Sequence, residues 1–225
     1  MFSSVPISER LVRNPLLKEF IAGLENERVS AQNIGAAVMN CNPFTLGHRF
    51  LVESACKQTD YLYVFVVEED CSEFDFRIRL QLVKEGCRDL ENVKVLPGGK
   101  YMISLVTFAD YFQKEALQGK AVIAPVADIK IFAQAIAPVL GIRKRFAGTE
   151  PLDTLTEKYN LAMKVLLPEF GVEFIEIPRM MTEDGEIISA SAVRGLLSQG
   201  KINECRKFLP LTTWEYIQKK YGATK

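Results

Sequence analysis

The sequence predicts an α/β chain on a doubly wound parallel sheet, followed by a small helical C-terminal subdomain. Three observations predict it. From Ile34 onward, apolar runs of strand length alternate with stretches of helical period, and strands separated by helices pair in parallel through right-handed crossovers. The first run passes into the first helix through Asn42-Pro43-Phe44-Thr45-Leu46-Gly47-His48, and the turn after a strand is where such sheets bind ligands. The end of the chain, Ser191 to Tyr221, reads as mostly helical.

The elements follow in order. Leu16, Leu17, Phe20, Ile21 and Leu24 fall at helical spacing, and Glu25 to Asn33 is a polar connector. Ile34 to Met39 is a buried strand, and a helix runs from about Gly47 to Lys57. Tyr61 to Val67 is the second strand, Phe74 to Gly86 the second sheet helix, and Val93 to Leu96 the third strand, ended by Pro97-Gly98-Gly99. A helix over Thr107 to Leu117, a strand over Ala121 to Pro125 and a helix over Asp128 to Leu140 come next. Arg145 to Gly148, a helix over Leu152 to Leu167, and Phe174 to Ile177 complete the alternation. This Rossmann-like series divides the chain into a leading helix and connector (1–33), an α/β domain (34–187) and a helical subdomain (188–225).

Composition narrows the function. With 225 residues and 48% hydrophobic content, the chain can bury one full core and a small appendage. Lys plus Arg equals Asp plus Glu, 28 of each, so no overall basic field favours nucleic acid. Arg143-Lys144-Arg145 reads as a surface strand entry. Five cysteines form no C-x-x-C pair, and one histidine cannot complete a zinc site of usual composition. Unpaired cysteines suit a reducing compartment. No apolar run approaches a membrane span, and Met1 to Arg13 lacks the apolar centre of a signal peptide. The expected location is the cytoplasm, without membrane attachment.

Two stretches carry chemistry. Thr45-Leu46-Gly47-His48 contains the only histidine of the chain. Alone, Thr45 reads as a helix cap and His48 as a surface residue; the strand before and helix after supply the context for a phosphate site. In Ile188-Ser189-Ala190-Ser191-Ala192-Val193-Arg194, Ser191 reads as an N-cap. Free N–H groups at such a helix start, two hydroxyls, and an arginine one turn on also suit an anion. A third stretch, Phe146-Ala147-Gly148-Thr149-Glu150-Pro151, puts a glycine after a strand, where a flat base can approach backbone.

These stretches, in this order, resemble the nucleotidyltransferase superfamily with its H/T-x-G-H motif, and more narrowly the citrate lyase ligase family. The narrower resemblance rests on Val38 to His48, Pro97 to Ser104, Ile136 to Ile142, Arg145 to Pro151, Tyr159-Asn160 and Ile188 to Arg194, and spans Leu16 to Tyr216. It implies the ligase domain of an enzyme that uses ATP with Mg²⁺ to adenylate acetate, releasing pyrophosphate. The acetyl group then passes to the prosthetic-group thiol on the acyl carrier subunit of citrate lyase, releasing AMP. The resemblance implies catalytic roles for His48, Thr45 and Arg194. It implies nucleotide contacts from Asn42, Pro43, Phe44, Gly47, Gly148, Thr149, Glu150, Ser189 and Ser191, and no protein-held metal.

Other residues read structurally. Arg77 and Arg79 suit a solvated helix face, Lys100 a turn, Tyr159 the core, and Asp128 a helix cap. Two other functions stay open at this level. One is an adenylyltransferase acting on a phosphorylated small molecule such as phosphopantetheine or nicotinamide mononucleotide, for which Arg77, Arg79 and Lys100 could supply cations. The other is a nucleotide-binding or carrier-docking module without turnover.

Overall fold

A computed structural model describes residues 14–69, 72–104, 126–150 and 153–222. Its centre is a five-stranded, all-parallel sheet in the order β3-β2-β1-β4-β5. The strands are β1 (Ile34–Met39), β2 (Tyr61–Val66), β3 (Val93–Pro97), β4 (Ile142–Gly148) and β5 (Glu173–Ile177). The chain runs outward from β1 through β2 to β3, then returns to β4 on the other side of β1. The C-terminal ends of β1 and β4 therefore flank the point where strand order reverses, which in doubly wound sheets opens a crevice.

The residue types explain the two-sided burial. Strand side chains alternate between faces. Ile34 and Ala36 join a core with Leu17 and Leu24 of α1 (Pro15–Glu25), Ile129 and Ile131 of α4 (Val126–Ile131), and Tyr159 and Met163 of α6 (Thr154–Leu166). Ala37 and Met39 face the other way, onto Leu51, Val52 and Ala55 of α2 (Leu46–Cys56) and Leu82 and Val83 of α3 (Phe76–Gly86). A third cluster joins Val193 and Leu197 of α7 (Ala190–Ser198) and Ile217 of α8 (Leu211–Tyr221) to Phe74, Ile188 and Phe208.

Several boundaries differ from the sequence reading. The predicted helix over Thr107 to Leu117 and strand over Ala121 to Pro125 lie outside the described residues. The helix predicted from Asp128 starts at Val126, passes through a π turn at Phe132–Ile136, and ends as α5 (Ala137–Leu140). Asp128 is therefore a buried helical residue, 2% exposed, and not a cap. β4 begins at Ile142, three residues before the predicted strand. α3 starts at Phe76, because Phe74 is drawn into the third cluster. Ser189, not Ser191, caps α7, its side chain accepting from Ala192 N–H at 3.1 Å. Both serines have capping chemistry; the antiparallel bridge between Met181 and Ile187 keeps the backbone extended up to Ser189.

Candidate active site

A cleft of about 870 Å³ lies over the C-terminal ends of β1 and β4. Thr45 caps α2 in extended conformation, its hydroxyl accepting from His48 N–H at 3.4 Å. His48 returns the contact. Its Nδ1 accepts the Thr45 backbone N–H at 3.1 Å and lies 2.9 Å from Thr45 Oγ1. A backbone N–H can only donate, so Nδ1 is the acceptor and the proton of the neutral ring sits on Nε2. Burial pushes the imidazole down to about 4, and the positive charges of Arg179 and Arg194 push the same way. At neutral pH the residue is a fixed, uncharged N–H donor lining the cleft.

The loop before α2 is held from below and from the far end of the chain. Arg79 is fully buried. Its guanidinium donates to Asn40 O and Oδ1 (both 2.9 Å), Val67 O (2.7 Å), Phe74 O (2.8 Å) and Glu69 O (2.8 Å). It is thus an internal brace joining the ends of β1 and β2, which corrects the reading of a solvated helix face. Asn42 Oδ1 accepts from Phe74 N–H at 3.0 Å, and Asn42 O accepts from Arg194 Nη1 at 2.6 Å. Arg194 also donates to Ser191 Oγ at 3.1 Å. At Gly47 a Cβ would stand 3.0 Å from Ile188 O, so the starts of α2 and α7 approach closely across the cleft. Two helix N-termini with their free N–H groups thus face one space, an arrangement suited to an anion.

Of the predicted site residues, Asn42, Thr45, Gly47, His48, Gly148, Glu150, Ser189, Ser191 and Arg194 line this cleft. Pro43, Phe44 and Thr149 are not among its lining residues. Phe44 is fully buried and stacks behind His48 with ring centroids 5.9 Å apart. Thr149 instead pairs its N–H with Ile177 O, and its carbonyl accepts from Arg179 Nε at 2.8 Å. No atom lies within 4 Å of where a Cβ would stand on Gly148, so the backbone there is open to a flat group. Arg145, expected at the surface, is 3% exposed and lines the cleft. Arg179, which sequence reasoning missed, also lines it and pairs with Glu150. Tyr159 is buried as expected, donating to Asp128 Oδ2 at 2.6 Å. Its neighbour Asn160 donates to Gly148 O at 2.9 Å and to Glu176 Oε1 at 3.1 Å.

Residues 34–217 match the family described as the citrate lyase ligase C-terminal domain. The chain belongs to the citrate lyase ligase family. It is 41% identical over 200 residues to the citrate (pro-3S)-lyase ligase of Haemophilus influenzae, covering 87% of this chain and 59% of that protein. It is 39% identical over 223 residues to the Escherichia coli K12 ligase of the same name, covering 96% and 63%. The chain therefore spans only part of these relatives of the citrate lyase ligase family. In fold it is similar to pantoate-β-alanine ligase from Francisella tularensis complexed with β-γ ATP and β-alanine. That likeness has a TM-score of 0.51 at 15% identity, over 92% of this chain and 84% of the other. No described helix is long and apolar enough to cross a membrane.

Four cysteines lie among the described residues, and of these Cys41 lines the cleft. Cys41, Cys56, Cys87 and Cys205 are unpaired. Burial is the largest cause raising each thiol, Cys56 to about 11 and Cys87 to about 12. They are protonated at neutral pH and poor nucleophiles.

Proposed function

We propose that this chain carries the adenylating and acyl-transferring activity of a citrate lyase ligase. ATP and acetate give acetyl-adenylate and pyrophosphate, and the acetyl group moves to the thiol on the citrate lyase acyl carrier subunit, releasing AMP. The observation that supports this best is the fixed, neutral His48 N–H between two facing helix N-termini, in a chain of this family. In this reading residues 34–187 form the nucleotide-binding domain, 188–225 a helical subdomain that supplies Arg194, and 1–33 a leading helix and connector.

The mechanism follows from charge. A carboxylate oxygen attacks the α-phosphorus in line and pyrophosphate leaves, so two anions must meet and charge builds on phosphate oxygens. His48 Nε2–H and the α2 amides donate to the α-phosphate as that charge develops. A neutral donor suits this, since it holds the oxygen without giving up its proton. Thr45 fixes the ring. Ser189, Ser191, Arg194 and the α7 amides hold the β- and γ-phosphates. Gly148 and Glu150 border the adenine and ribose, with Thr149 behind them. Mg²⁺ would arrive with the nucleotide, held on its phosphates and water. In the second step the carrier thiolate attacks the acetyl carbonyl and AMP departs. The raised thiols of Cys41, Cys56, Cys87 and Cys205 suit no covalent role in that transfer.

Transfer to a phosphorylated small molecule is less well supported. It needs free cations near the first strand ends, and Arg79 is committed to five acceptors there. The deciding experiment is pyrophosphate release from Mg-ATP, with and without acetate, in the wild type and in His48→Ala. Acetate-stimulated release that disappears in the variant is the expected result. ATP binding without acetate stimulation sinks the assignment.

A further inference from the structure

The cleft is lined in part by Val38, Ile103, Ala147 and Met163, which belong to the core on the face of the sheet that packs α1, α4 and α6. Arg145, which also lines the cleft, has no role in the mechanism above. Its register on β4, opposite Ala36, places it on this face. The side chain is 3% exposed, and its guanidinium carbon stands 4.3 Å over the Phe132 ring. Its Nε and Nη1 are buried with no hydrogen-bond partner. The charge of neighbouring Asp128 favours the cation, while its carboxylate accepts the Ile103 N–H and the Tyr159 hydroxyl, both at 2.6 Å.

A buried charge is ordinarily paired, because desolvation otherwise opposes folding. Burial lowers the Arg145 pKa accordingly, yet arginine keeps its charge in proteins. The ring beneath offsets part of that cost by cation–π attraction. What remains is a desolvated cation with vacant donors in a cleft that also presents Val38, Ile103, Ala147 and Met163, which matches a carboxylate carrying a short alkyl end.

We propose that Arg145 anchors the carboxylate of the acid substrate, a short monocarboxylate whose alkyl end rests against Val38, Ile103, Ala147 and Met163. This rests on the adenylating activity proposed above. One carboxylate oxygen takes the guanidinium N–H while the other stays available to the α-phosphorus. The cation also screens the incoming carboxylate from the phosphates of the nucleotide. The side chain is thus both a binding residue and a determinant of acid size.

The test measures ¹³C-acetate binding by NMR in the presence of α,β-methylene-ATP, for the wild type, Arg145→Met and Arg145→Lys. Loss of a charge-assisted pair should raise the acetate Kd at least about tenfold in Arg145→Met, with analogue affinity unchanged. Without acid, Arg145→Met should melt higher than the wild type, since it removes a buried charge whose Nε and Nη1 have no hydrogen-bond partner. Arg145→Lys keeps the charge without the fork. It should bind acetate with intermediate affinity, and it carries the test if Arg145→Met does not fold. Equal acetate affinity in wild type and variants overturns the proposal, as does parallel loss of acetate and analogue binding, or no acetate binding by the wild type. Acetate bound through Arg145 without pyrophosphate release in the wild type keeps the anchor and sinks the adenylating activity instead.

Discussion

If His48 acts as a neutral donor, its protonation should leave activity untouched across the physiological range. At pH 6.0 an ordinary imidazole with pKa near 6.5 is about three-quarters protonated, whereas one at about 4 is about 1% protonated. The kcat/KM for acetate at saturating Mg-ATP, which reports ionisations of the acid-free enzyme, should therefore be level from pH 6 to 8 as far as this residue is concerned. Replacing the donor gives the magnitude. Loss of one preorganised donor to a developing oxyanion costs about 10²- to 10³-fold in kcat, and His48→Ala should fall in that range. His48→Gln keeps an N–H but loses the ring held by Thr45 and should recover only part. The assay is continuous pyrophosphate detection across pH for all three proteins. His48 is the only histidine in the chain. A wild-type limb with apparent pKa between 6 and 7 that vanishes in His48→Gln would refute the neutral-donor argument. The same shift bears on stability. Between about pH 4 and 6.5 the unfolded chain binds a proton at this site that the folded chain does not. Stability present above pH 6.5 is thus lost as pH falls through that window, and His48→Gln should melt with a shallower acid dependence there.

Three further outcomes follow. Arg79→Met strands buried carbonyls at the ends of β1 and β2; removing such a buried charged brace costs about 3–5 kcal/mol. For a domain of this size that lowers Tm by about 10 °C, and a calorimetric shift under about 3 °C contradicts the brace. Gly86→Ala puts a methyl 2.4 Å from the Phe44 ring. Overpacking there should cost about 1–3 kcal/mol and, because Phe44 backs His48, lower kcat as well; unchanged urea midpoint and kcat would speak against that coupling. Arg194→Ala should weaken ATP binding about tenfold or more, and equal affinity in titration calorimetry removes it from the phosphate site.

The strands β1 and β2 were legible as buried strands, because their apolar runs are local patterns. Thr45 and His48 were legible for a similar reason: a cap and the residue three positions on interact within one turn. The π turn at Phe132–Ile136 has no such local signature. Arg79 and Arg145 were misplaced because charge predicts exposure, while their burial depends on groups distant in sequence. The Arg79 acceptors at Asn40 and Val67 come from other elements, and Arg145 rests on an aromatic ring supplied by the helix before β4. The choice of Ser189 over Ser191 as cap was set by the preceding bridge. Arg179 belongs to no motif. Only its pairing with Glu150, already singled out, could have pointed to it.

The contact between Arg194 and Asn42 joins residues 152 positions apart. It is a long-range hydrogen bond closing the β1–α2 turn against the start of α7. That turn thus acquires its final wall only once the chain has been synthesised as far as Arg194. A ligand clasped between the two helix starts can stabilise the finished protein by mass action, but it cannot stabilise a nascent fragment ending at the sheet. Local opening of residues 188–222 alone would release that ligand while the five strands stay paired. Retention of nucleotide and integrity of the sheet are then separable properties, governed by different parts of one polypeptide.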